Sequence, residues 1–194
     1  MFPVLLALAA AADPVAQRSP VDGDAVVVVG APHQAVAWRL PGEARWVVSL
    51  GTRLPSAATE LSIGSSACGG PACDEDRGWR WVGGASAGLV ATRGPGVALS
   101  VAPWARLERR GPVHGGVQVA APVAAGATGG IRLPVVGELF IGSRRQRVHV
   151  VAVGGAGWAW TTGTPAGSLV VQGTVQVGFS GARRLADVRS EPVL

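Results

Sequence analysis

From Asp24 onward the chain alternates apolar and polar residues with a period of two, in short segments punctuated by Gly and Pro. In Ser168–Ser180, Leu169, Val171, Val175, Val177 and Phe179 fall on one face, and Gln172, Thr174, Gln176 and Ser180 on the other. In 131–142, Ile131, Leu133, Val135, Leu139 and Ile141 oppose Arg132 and Glu138; in 97–109, Val97, Leu99, Val101 and Leu107 oppose Ser100, Arg106 and Glu108. Such alternation is the mark of a β-strand with two unlike faces, and no window carries a convincing helical period. The pattern predicts eight strands, at 44–54, 59–66, 78–92, 97–109, 113–123, 131–142, 147–158 and 168–180. The number rises to ten if Asp24–Gly30 and Gln34–Leu40 form one more hairpin. The connections, such as Arg93-Gly94-Pro95-Gly96 and Ser143-Arg144-Arg145-Gln146, are of hairpin length. The expected fold is therefore all-β, an antiparallel up-and-down meander closing into a β-barrel, with almost no helix.

The same alternation serves two solvents. A soluble sandwich or barrel turns its apolar face inward, whereas a transmembrane barrel turns it toward lipid. Here the polar faces are mostly Gly, Ala, Ser and Gln, which suit a narrow barrel interior. Arg45, Arg53, Glu60, Arg80, Arg106, Glu108, Arg132, Glu138, Arg147 and His149 all lie opposite the apolar face of their strand. Trp46, Trp79 and Trp81 stand near strand starts and Trp158 and Trp160 at a strand end, while Trp104 is in the second half of its strand. Strand ends are where an indole, apolar with one polar N–H, meets a membrane–water interface.

With these features, residues 44–180 resemble the small bacterial outer-membrane β-barrels, the eight-stranded class that includes the OmpA membrane domain. The resemblance is one of pattern. It implies residence in a Gram-negative outer membrane, assembly by the barrel-assembly machinery, and a basic end that faces the periplasm.

The first twelve residues, MFPVLLALAAAA, are apolar and end in small residues, with Ala10-Ala11-Ala12 as an A-x-A cleavage site and Asp13 as the mature start. They read as a signal peptide, too short to span a bilayer. Residues 13–43 then form a polar leader that includes the optional hairpin, 44–180 the barrel, and 181–194 a basic tail. Cys68 and Cys73, the two cysteines of the chain, are expected to pair as a disulfide in an oxidising compartment.

Charge is sparse, at 15% against 48% hydrophobic residues, which excludes intrinsic disorder. The net charge is +5, and every basic residue is Arg. With an even strand count, both chain ends share one side of the barrel. Arg109, Arg110, Arg144, Arg145, Arg183 and Arg184 gather there, where phosphates of phospholipid or lipopolysaccharide are the natural partners. Export argues against nucleic acid.

Inside the lumen, Arg53 is expected to pair with Glu60 and Arg132 with Glu138, because isolated buried charge is costly. His149 lies on the same face, and the lumen is expected to be filled. No phosphate-binding loop, metal set or cofactor motif is present, and no cofactor is expected. His114 or His149 near Ser143 would still need an orienting acid to form a catalytic group. The sequence therefore reads as a non-enzymatic outer-membrane barrel with a structural, lipid-contacting or scaffold role. The alternative is a periplasmic or secreted soluble β-sandwich or barrel that binds a small ligand or glycan.

Overall fold

The computed structural model describes residues 16–21, 23–40, 46–53, 58–69, 73, 77–91, 96–126, 130–145, 147–163 and 166–180. Eleven strands are present: β1 (Ala25–Ala31), β2 (His33–Arg39), β3 (Trp46–Arg53), β4 (Ala58–Gly69), β5 (Gly78–Ala91), β6 (Val97–Arg110), β7 (Val113–Ala120), β8 (Val123–Gly126), β9 (Ile131–Arg145), β10 (Val148–Thr161) and β11 (Ser168–Phe179). Every pairing is antiparallel, and β11 returns to β1, so ten strands close a barrel. There is no helix among the described residues.

The optional hairpin forms, as β1 and β2, turning at Pro32 through a cis Ala31–Pro32 bond. The barrel thus has ten strands rather than eight. The strand expected at 113–123 is interrupted. Short β8 pairs with β6 and β9, the neighbours that also flank β7. The break falls at Ala121-Pro122. Extending the β7–β9 and β8–β9 registers places Pro122 opposite Pro134, and neither proline has an N–H to give the ladder.

Register fixes the dimensions. Partners traced from Val175 through Val29, Gln34, Thr52, Thr59 and Ala91 lead to Val97. Resuming seven residues along β6, from Trp104 through Ala120, Val136 and Gly157, the path regains β11 at Val170, five residues from its start. Seven plus five gives a stagger of twelve residues for ten strands. With a rise of about 3.3 Å per residue and a strand spacing of about 4.8 Å, this means a tilt of about 40° and a backbone radius of about 10 Å. An eight-stranded barrel is filled by its own side chains. This wider one leaves a central column.

Candidate functional site

The column holds the chain's own leader. Ala16, Gln17, Arg18, Pro20 and Val21 are buried inside the ring, although the sequence reads simply as a polar stretch there. The segment is two-sided. Ala16 and Val21 pack on an apolar patch of the inner wall formed by Val26, Val28, Ala37, Phe140, Val151 and Val153. Gln17, Arg18 and Ser19 turn to the polar walls. The Gln17 amide donates to Val47 O, Ser49 Oγ and Ser62 O at 3.1, 3.1 and 3.0 Å. Ser19 Oγ donates to Gln176 Oε1 at 2.5 Å. Gly64 makes room for the plug, because a Cβ there would lie 2.7 Å from Gln17 Oε1 and 2.8 Å from Ser86 Cβ.

Two carboxylates organise the remaining lumen. Glu138 accepts two bonds from Arg18, at 3.0 and 2.9 Å, and the amides of Gln118 and Gln172 also donate to it. The expected Arg132 partner stands six residues along the same strand, roughly 20 Å away at 3.3 Å per residue. Its place is taken by an arginine from the leader. Glu108, fully buried, is surrounded by Arg80, Arg106 and Arg110, with N···O distances of 2.5, 2.6 and 3.1 Å. Arg106 also donates to the Arg18 carbonyl at 3.1 Å and lies over the Trp104 ring, 5.3 Å from its centroid. Near the other mouth, His33, Arg53, Glu60 and Arg132 face inward, and Arg53 stands opposite Ala58 in register, two residues from Glu60.

His149 Nε2 is 3.0 Å from the ring nitrogens of His114, both buried. Ser143 is exposed on the opposite face of its strand, so the structure does not bring it to His149. No group of three or more potential metal ligands occurs among the described residues.

The outer face inverts the inner one. Leu169, Val171 and Val175 are exposed, whereas Gln172, Thr174 and Gln176 are buried. The same holds around the ring: Leu99 is 65% exposed, Leu139 67% and Ile141 63%. By strand alternation, Arg109 and Arg145 are the only charged residues at outward positions of the described strands, and both lie at one rim. The short connection at Gly111-Pro112 sits at that end, as do Arg110 and Arg144, and exposed Arg39, Arg77 and Arg147 extend the basic ring beyond the residues singled out from sequence. Arg183 and Arg184 lie outside the described residues.

Trp46, Trp79 and Trp81 are exposed at the basic end, joined by Trp38 and Phe179, while Trp158 and Trp160 are exposed toward the other end. Trp104 points inward. Its ring crosses Gly84, where a Cβ would meet it at 2.6 Å, and it shares the parity of Arg106 and Glu108. Cys68 and Cys73 form a disulfide at the basic end.

No family model, curated protein or solved structure matches the chain.

Proposed function

We propose that the protein is a small bacterial outer-membrane β-barrel with a filled lumen and a structural, lipid-contacting or scaffold role. The observation that carries this reading is the outer face, apolar on every strand and, among the described residues, free of charge between its rims. A soluble monomer's largest apolar patch covers about 300–600 Å². Here the apolar surface runs around all ten strands. From Val97 to Leu107, ten residues of β6 rise about 33 Å along the strand, or about 25 Å along the axis at a 40° tilt, the height of the apolar band in outer-membrane barrels. Indoles bound the band, and arginines able to hold lipid or lipopolysaccharide phosphates lie beyond it at one end.

In this reading the segment before residue 13 is an export signal, the barrel-assembly machinery inserts the mature chain, and the basic end faces the periplasm. The role is passive and not enzymatic, built on lipid contact and on ion pairs that hold the interior. The soluble alternative would need the apolar residues packed inside, yet Leu99, Leu139 and Ile141 are on the exterior.

The test is reconstitution. The mature chain, folded in detergent and mixed with phospholipid vesicles, is expected to float with them through a density gradient, to resist carbonate extraction, and to migrate differently before and after boiling. A chain that stays soluble without detergent and sediments away from vesicles contradicts the reading.

A further inference from the structure

We infer that residues 16–21 are a detachable plug, and that the barrel around them is a latent conduit for small hydrophilic anions. The inference rests on the membrane reading above and adds an activity to it.

Three observations carry it. First, the plug is a tenant of the barrel and no part of its hydrogen-bonded wall. Residues 16–21 belong to no strand, and the ring closes through β1 and β11 without them. Removing this segment, which begins with a turn closed by Ser19 N–H on the Ala16 carbonyl, from the axis frees a column at least about as wide as one strand spacing, about 5 Å, enough for water and small ions.

Second, the wall beside the plug is hydrophilic and made of small residues. Ser62, Gly64, Ser86, Gly88 and Ser100 face it from β4, β5 and β6. Gln17 donates to Ser49 Oγ, Ser62 Oγ and the Ser62 carbonyl of this wall, so withdrawal of the plug exposes hydroxyls and a carbonyl that water can solvate.

Third, the charge left behind has a sign. Without Arg18, the inward groups around the carboxylates of the described strands are Arg53, Arg80, Arg106, Arg110 and Arg132 against Glu60, Glu108 and Glu138, two positive charges in excess. The rim at the end from which the leader continues into β1 adds Arg109, Arg144 and Arg145. A lumen of this charge draws anions and repels cations.

The test uses the mature chain in planar bilayers and vesicles, with chloride as the probe. One variant lacks residues 16–21. A second keeps the full length, with Cys68→Ser and Cys73→Ser to remove the native pair and Gln17→Cys with Ser62→Cys to tie the plug to the wall. The wild-type and oxidised tethered proteins are expected to be silent. The deletion, and the tethered variant after reduction with its plug further loosened by Arg18→Ala, should open discrete conductance steps. In a KCl gradient the reversal potential should shift toward that of chloride. Vesicle flotation is scored on every sample. Variants that float but never conduct, a wild type that conducts as well as the deletion, or a cation-selective current overturns the plug inference alone. Variants and wild type that all fail to float overturn the membrane reading and this inference with it.

Discussion

The guanidinium of Arg18 lies across the carboxylate of Glu138, with Nε 3.0 Å from Oε2 and Nη2 2.9 Å from Oε1, and joins residues 120 apart in the chain. It ties the leader to the middle of β9. Both side chains are almost completely buried. Breaking such a pair from one side leaves a charge in low dielectric, at a cost of about 3–5 kcal/mol. Arg18→Ala and Glu138→Gln should each lower stability on that scale. The double variant Arg18→Ala/Glu138→Gln should lose clearly less than the sum of the two. Reversible unfolding of the four proteins in one lipid or detergent system gives the double-mutant cycle, and additive losses would count against the pairing.

A second expectation concerns glycine. At Gly84 a Cβ would meet the Trp104 ring at 2.6 Å and Ser65 O at 2.7 Å, whereas at Gly173 nothing lies within 4 Å. Gly84→Val should therefore overpack the lumen and cost about 1–3 kcal/mol. Gly173→Ala, on the outer face, should stay within about 0.5 kcal/mol of wild type. Equal losses at the two sites would refute the assignment of faces.

The tryptophans offer a spectroscopic prediction. In vesicles of brominated phospholipid, a protein retaining only Trp81 should be quenched more strongly by bromines near the headgroups than by bromines deep in the chains. A protein retaining only Trp104 should be shielded from both, because its ring is buried inside the barrel. Strong quenching of Trp104 would mean that β6 is turned the other way.

The disulfide links residues only five apart. By the chain-entropy relation a loop this short contributes about 2 kcal/mol or less. Cys68→Ser with Cys73→Ser should leave the barrel formed, with boiling-dependent migration intact and a modest loss of stability. Failure of the variant to fold would show that the bridge does more than restrain a local loop.

Much of this architecture is readable from period-two alternation. Leu169 to Phe179 and Ile131 to Ile141 mark their strands and faces outright, and the hairpin at 24–40 was open as the route from eight strands to ten. What alternation cannot supply is the partner across the lumen. Arg132 and Glu138 share a face of β9, but six residues of strand set their side chains about 20 Å apart. Glu108 was legible beside Arg106, two residues away on one face, but its contact with Arg80 depends on the β5–β6 register. The plug was the least visible element. Gln17-Arg18-Ser19 has the composition of a solvated leader, and only the radius of a ten-stranded ring demands something polar to fill it. The parity of Trp104 with Arg106 and Glu108 was available in the sequence and places that ring inside.

The central claim is that the apolar outer face meets hydrocarbon. Leu139 lies near the middle of β9 and is 67% exposed. The most direct test is the unfolding free energy of Leu139→Arg in phospholipid vesicles. Arginine facing lipid near mid-bilayer should cost about 2–4 kcal/mol. A change within about 0.5 kcal/mol, as expected for a water-exposed position, would contradict the account.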